Sequence, residues 1–471
     1  MRKTAALTAA LLLAPLPASA VDMEGGDLTP ANYETLSGTY TNVGNFIISA
    51  GDTVFVGQGA GLFVYASTVT IHGHLNANGR GHPGGASGEP GFAGGQGFGP
   101  GTGGGGAAGS GGGGGGYGDA DADGISGGAG DGVGAGTGGL PYGPTTQITV
   151  PFSADDIFMG SGGGGGGGGA AATTSGAGGT GGGLVYIEAD YIVISGTVSA
   201  NGLAGGTGID ASGTNPGGGG GGGSGGAIAI ISRGSLSMPS GGLFADGGLG
   251  GASISGGGSG EVPGGGGSAG RVNILYGSFS AGDIVLSTGA GVGGEAGFWS
   301  DYAQSGSSGT VSIGVLPSSP TGLAFTGVFK TSVSYSWDGM LDAEFGGPLS
   351  MLPDLTVRQF RLFAGTGTLP FTASFTGVSA SKDSTAAEET GLTPDTTIYR
   401  FITAYTDLGD SAASPTISTW TWAAPPVTKQ DSAFVGLSSY SLSVAWSSGA
   451  AGTGFNPAYT SYELKIGRAH V

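Results

Sequence analysis

Around residue 70 apolar and polar residues alternate with a period of two. Val69, Ile71 and Leu75 fall on one side of an extended chain, and Thr70, His72 and His74 on the other. The island Leu62-Phe63-Val64-Tyr65-Ala66 precedes this run and Asn76-Ala77-Asn78-Gly79 closes it. The same order returns at Leu184-Val185-Tyr186-Ile187-Glu188-Ala189, Ile192 to Val198, and Ser199-Ala200-Asn201-Gly202. A third copy holds Ala227-Ile228-Ala229-Ile230-Ile231, Ser235 to Met238, and Leu243-Phe244-Ala245-Asp246-Gly247; a looser fourth holds Val272 to Tyr276 and Ile284-Val285-Leu286. With Val185, Ile228 and Val272 as equivalents, the steps are 43 and 44 residues (228−185, 272−228). Ala77 and Ala200 lie 123 apart (200−77), because a long glycine tract intervenes.

Each copy reads as strand, turn, second strand and an Ala-Asn/Asp-Gly corner, whose last two residues tolerate positive φ. Serial copies predict stacked coils, each burying a face it cannot bury alone. The expected fold class is all-β: a glycine-rich parallel β-solenoid (β-helix-like) over residues 21–316, with a closed sandwich or barrel as the alternative. Glycine, at 113 residues, opposes helix and carries a large ordering entropy. Between the copies lie Gly111 to Gly116, Gly162 to Gly169, Gly217 to Gly223 and Gly264 to Gly267. Two readings stand: slack loops, or packed extended helices of three residues per turn, in which missing side chains let backbones approach. Long polyglycine beside short strands resembles, in composition, the tips of certain phage adhesins and some antifreeze proteins.

The pattern changes at Pro317-Ser318-Ser319-Pro320, where glycine thins and aromatics rise. Phe325 and Thr331 to Trp337 align with Phe434 and Tyr440 to Trp446 at an offset of 109 (434−325, 446−337), a plausible size for a small β-sandwich. These segments resemble fibronectin type III modules, whose buried strand-B tryptophan would be Trp337 and Trp446. Gly391-Leu392-Thr393-Pro394-Asp395-Thr396-Thr397-Ile398-Tyr399 is similar to that family's corner. The resemblance implies that the Tyr399 hydroxyl returns to the backbone of Leu392 to Asp395, while Ile398 or Phe401 and Ile402 fill the core. It covers residues 317–424 as one module and 425–471 as a truncated second. No Arg-Gly-Asp occurs.

The first twenty residues read as a signal peptide: Arg2 and Lys3, the apolar run Ala5 to Leu13, and Ala18-Ser19-Ala20 as cleavage site. No later stretch is long and apolar enough for a transmembrane helix. A secreted or cell-surface location follows as the expectation. At the other end, Lys465 to Val471 reverse-translates as AAG ATC GGA AGA GCA CAC GTC, a common sequencing-adapter string. The residues from Ile466 or Gly467 onward are read as artefact, and the natural protein as continuing.

With 13 Lys+Arg against 32 Asp+Glu, the net charge of −19 excludes a nucleic-acid partner, which needs clustered cations. Zero cysteines exclude thiol catalysis and cysteine-ligated metal. Asp119, Asp121 and Asp123, alternating before Gly124, begin a calcium-type loop, the one cofactor expectation here; but position twelve would be Gly130 instead of a bidentate Glu, and a solvated acidic linker is the plainer reading. His72, His74 and His82 could reach one divalent metal, although Ser195 and Thr197 in the next copy favour ordinary polar sites. Asp155-Asp156, Glu188 and Asp190 are the acids that a polysaccharide-acting enzyme would draw upon. The expected function is a non-catalytic structural or adhesion protein, with an extracellular glycan or cell-surface component as partner. The alternative is a β-helical polysaccharide lyase or hydrolase with accessory modules.

Overall fold

The computed structural model describes residues 20–117, 127–140, 158–169, 173–210, 217–255, 261–295, 303–339, 358–365, 374–406, 409–428, 434–450, 454–457 and 460–464. All regular structure among them is β. The chain divides into two compact units, Met1–Val315 and Leu316–Val471.

The first unit is built level by level. The opening level holds β1 (Val21–Asp22) and β2 (Thr35–Leu36), the second β3 (Gly38–Ile48) and β4 (Thr53–Val56), and the third β5 (Leu62–Ile71) and β6 (His74–Asn76). After the short β7 (Thr173–Thr174) come β8 (Leu184–Ile194), β9 (Thr197–Ser199) and β10 (Gly208–Asp210), then β11 (Ala227–Met238), β12 (Gly242–Phe244) and β13 (Ser253–Ser255). β14 (Arg271–Ala281), β15 (Val285–Ser287) and β16 (Thr310–Val315) complete the stack. The long strands form one seven-stranded parallel sheet in the order β1-β3-β5-β8-β11-β14-β16, and the short ones a six-stranded parallel sheet, β15-β12-β9-β6-β4-β2.

The sequence steps are the strand register. Ile228 pairs with both Val185 and Val272, and Leu62 pairs with Val185. Val69, Ile71 and Leu75 are buried between the sheets with Val185, Ile187, Ile192, Ile228, Ile230 and Val272, so each level shelters its neighbour's apolar side chains. Two levels before Leu62 and one at Thr310 carry no Ala-Asn-Gly corner and escape the repeat.

The corners work differently from expectation. Of the three corner glycines only Gly79 has a left-handed φ (61°), and none of the corner Asn or Asp residues does. Their side chains instead form a ladder along the stack. Asn78 Oδ1 accepts the Asn201 N–H at 2.7 Å, Asn201 Oδ1 accepts the Asp246 N–H at 2.7 Å, and Asp246 Oδ1 accepts the Gly289 N–H at 2.7 Å. Below this ladder Ala77, Ala200 and Ala245 are fully buried. Asn201→Ala strands the Asp246 N–H and is expected to cost about 1–3 kcal/mol. Asn201→Asp, which keeps an acceptor as Asp246 does, should cost less; urea midpoints compare the two.

The glycine tracts are packed rods, the second of the two readings. Consecutive N–H groups leave each rod toward three different neighbours, and the pattern repeats every three residues. Gly163, Gly164 and Gly165 donate to Gly179, Gly113 and Gly95, then Gly166, Gly167 and Gly168 to Gly176, Ser110 and Phe92, all at 2.8–2.9 Å. Gly218 to Gly223 repeat the scheme toward Gly167, Val262 and Gly206, then Gly164, Gly265 and Leu203. A three-residue period without internal hydrogen bonds is that of polyproline II-type backbone. Glycine is obligatory because a Cβ on Gly163 or Gly221 would stand 2.2 or 2.0 Å from a neighbouring carbonyl oxygen. That proximity leaves room for a Cα–H···O contact and nothing larger.

The second unit is antiparallel. β17 (Ala324–Val328), β18 (Ser332–Ser336) and β21 (Ala386–Thr390) form one sheet; β19 (Gln359–Ala364), β20 (Ser374–Ser381), β22 (Thr397–Thr406), β23 (Gly409–Asp410) and β24 (Ile417–Trp420) form the other. Val333, Tyr335 and Trp337 pack against Phe360, Leu362, Ile398, Ile402 and Ala404, so the expected core tryptophan is in place. Across this core Arg400 grips Glu389 with two bonds (2.8 and 2.7 Å), and the Tyr335 hydroxyl donates to the same carboxylate at 2.6 Å.

Two expectations fail here. Tyr399 lies on the outward side of β22, 40% exposed, and among the described residues its hydroxyl has no partner; alternation along β22 gives the core to Ile398 and Ile402. Trp446 is 39% exposed and meets Tyr462 edge-on. β25 (Val427–Thr428), β26 (Phe434–Leu437), β27 (Leu442–Val444), β28 (Trp446–Ser447), β29 (Gly449–Ala450) and β30 (Gly454–Phe455) make only two-stranded ribbons, so among the described residues no second sheet covers it.

Candidate functional site

On β8, alternation sends Val185, Ile187 and Ala189 into the core and Leu184, Tyr186, Glu188 and Asp190 to the opposite face of the long sheet. There the Tyr186 ring meets Phe63 (5.9 Å between centroids), its partner in register, and Tyr65 (5.5 Å), two residues further along β5. The Tyr186 hydroxyl donates to Glu188 Oε2 at 2.8 Å, and Arg233 of β11 bonds Glu188 Oε1. Asp190 Oδ1 has no hydrogen-bond partner.

A register break brings these groups together. Ala189 pairs with Ser232 and Tyr191 with Ser235, so Asp190 faces the two residues Arg233 and Gly234, a β-bulge. The break continues into the β11–β14 pairing, and β3–β5 shifts between Tyr40 and Val43. Sequence reading noted Glu188 and Asp190 but not Arg233. Its place opposite them depends on a bulge, and a constant repeat step gives no sign of one.

Burial shapes the electrostatics. It pushes the Asp190 carboxyl up to about 6, with Glu188 adding to the rise and Arg233 opposing it. Burial, then Glu188, pushes the Tyr65 hydroxyl up to about 12, and the same causes raise Tyr186 further. Two carboxyls of unlike environment can serve acid–base chemistry in principle. Here Glu188 is 4% and Asp190 9% exposed, so both carboxyls lie beneath the surface of that face.

The other candidates do not converge. His72 Nδ1 meets Ser195 Oγ at 2.6 Å and His74 Nε2 meets Ser199 Oγ at 2.7 Å, tying each to the next level. His82 lies at the start of a glycine rod, its N–H bonded to the Gly160 carbonyl. Burial lowers the His74 and His82 pKa values below the usual imidazole range. Among the described residues no three His, Asp or Glu side chains are grouped to hold a metal. Asp119, Asp121, Asp123, Asp155 and Asp156 lie outside the described residues.

An exposed surface also emerges that sequence reading missed. Leu203 (46%), Ile209 (49%), Leu249 (55%), Ile254 (50%) and Val292 (54%) stand out from three successive levels. Their backbones are tied together: Gly205 N–H to Leu249 O, Gly250 N–H to Val292 O, and Ile209 opposite Ile254. Behind them the rods bond at every third residue, so these aliphatic side chains rise from a stiff, nearly side-chain-free base. In sequence each is an isolated large apolar residue among glycine, alanine, serine and aspartate, which is why no periodicity marked them.

No helix among the described residues is long and apolar enough to cross a membrane. No family model matches the chain, and a search of the curated proteins finds no relative. Similar solved structures include the FN5 domain of Drosophila Lar, at 25% identity over 23% of this chain and 98% of that one, with a TM-score of 0.16. The fibronectin type-III domain of human fibronectin type III domain containing protein 3 is 19% identical over 23% of this chain and 87% of that one, TM-score 0.17. The chicken CNTN1 FN1-FN3 domains are 18% identical over 26% of this chain and 38% of that one, TM-score 0.18.

Proposed function

We propose that the chain is an exported, non-catalytic structural or adhesion protein. Its first unit is read as a glycine-rich parallel β-solenoid that displays a flat binding face, and its second as fibronectin type III-like spacer modules. The observation that supports this most is the aliphatic ladder of Leu203, Leu249 and Val292 with Ile209 and Ile254, repeated from level to level on a stiff base. Exposed apolar groups in a row mark interaction surfaces. Identical weak contacts at successive levels add up when the partner is itself extended, as a glycan or cell-surface polymer is.

The test is sedimentation of the full chain with insoluble polysaccharides and intact cells. Replacing Leu203, Leu249 and Val292 together by Asp is expected to lower the bound fraction at least about tenfold, since three side chains lose roughly 1 kcal/mol or more each. The fold, followed by circular dichroism, should survive. Binding unchanged by the triple replacement would reject the ladder as the contact.

The enzyme reading draws on Glu188 beside a carboxyl raised to about 6. Release of reducing or unsaturated sugar ends, abolished by Glu188→Gln, would favour it over adhesion.

A further inference from the structure

The acidic cluster on the long sheet contains one charge too many for its surroundings. Both Glu188 oxygens are engaged, one by Tyr186 and one by Arg233. Asp190 is buried on the same strand with Oδ1 unpartnered. The charged groups that act on it are Glu188 of its own strand and Arg233 of β11, while β5 brings the uncharged Tyr65 and Tyr186 stands beyond Glu188. An ionised Asp190 adds a second buried carboxylate where one guanidinium is already committed to the first, and such an excess charge is strongly unfavourable without water. The backbone pairing is interrupted at this level. Asp190 faces the Arg233–Gly234 bulge, where the pairing of β8 with β11 is broken, and the same break runs on toward β14.

We propose that Asp190 is a proton-dependent latch on this seam: while its carboxyl is neutral the β8–β11 bulge stays closed, and loss of the proton lets water in and loosens it. The direction follows from linkage. The carboxyl is raised from 3.8 to about 6 in the folded chain, chiefly by burial, so the closed seam holds the proton more tightly than the open one. Its stabilising contribution is complete below the lower value and is lost as pH rises through the higher one.

Hydrogen exchange of the full chain, read by mass spectrometry at about pH 5 and about pH 8 and corrected for the intrinsic rate, tests the latch. Peptides covering 184–194 and 227–238 should exchange at least about tenfold faster at the higher pH, while those covering 332–336 and 359–364 should not change. Asp190→Asn, neutral at both values, should keep the slow rate throughout. Equal protection of the parent at both pH values, or a pH response that persists in Asp190→Asn, would overturn the proposal. Should that variant fail to fold, the parent labelled with carbon-13 aspartate still decides. A protonated carboxyl stretch that vanishes through about pH 6 supports the latch, and its absence at about pH 5 refutes it.

Discussion

Gly221→Ala is expected to destroy the folded state of the first unit. A Cβ on Gly221 would stand 2.0 Å from the carbonyl oxygen of Gly113, 2.3 Å from its carbon and 2.8 Å from the nitrogen of Gly114. All three are backbone atoms, so no side chain can rotate away. The rod cannot slide either, because the Gly221 N–H is held by Gly164 O at 2.8 Å and its neighbours are bonded to Gly206 and Gly265. Separating the rods would break the donated and accepted bonds of several consecutive residues, a loss on the order of 5 kcal/mol or more, comparable with the whole stability of a typical domain. Gly51→Ala is the control. That glycine has a φ of 87° and nothing within 4 Å of its Cβ position, so only the backbone preference is lost, about 1 kcal/mol. Far-UV circular dichroism and exchange of the 160–226 region should separate the two variants. A Gly221→Ala protein within about 1 kcal/mol of the parent would contradict the rod packing.

Glu389→Gln should be the most damaging single change in the second unit. The carboxylate takes two bonds from Arg400 and one from Tyr335, with both charged side chains 8% exposed. Removing the negative charge leaves a guanidinium buried without its counter-charge and is expected to cost about 3–5 kcal/mol. The pair itself need not be net stabilising, because two desolvated charges give back much of what their attraction supplies. Replacing Glu389 and Arg400 by Met together with Tyr335→Phe should therefore recover most of the loss. Four of the five tryptophans (337, 420, 422 and 446) lie in this unit, so their fluorescence follows its denaturation. If Glu389→Gln fell by less than about 1 kcal/mol, the triad would not be the tie between the sheets.

What the sequence revealed and what it hid divide along a physical line. The register of Val185, Ile228 and Val272 could be read in advance because inward-facing apolar side chains must recur wherever levels stack. Trp337 and Ile402 were legible from the resemblance to fibronectin type III modules, and the outward His72 and His74 from period-two alternation. The glycine rods gave no comparable sign, since each of their contacts is made by backbone and a packed rod has the composition of a loose linker. A fixed separation between tracts was the available clue: Gly112 and Gly115 donate to Gly219 and Gly222, both 107 residues on (219−112, 222−115). The corner residues were identified but their reason was not, because an acceptor for the next level and tolerance of positive φ favour the same amino acids. Tyr399 shows the opposite failure, a family corner whose residues are present while its hydrogen bond is not.

The order in which the rods meet constrains how such a chain can assemble. Gly113 accepts from Gly164, and Gly115 accepts from Ser268, so the rod of Gly111 to Gly116 stays incomplete until residues more than a hundred and fifty positions later have been made. Partners so distant in sequence slow the search and delay closure. During synthesis, the early half of the first unit would emerge with its main-chain amides still wet, waiting on the last strands to seal it. A chain interrupted before Ser268 would lack that seal altogether.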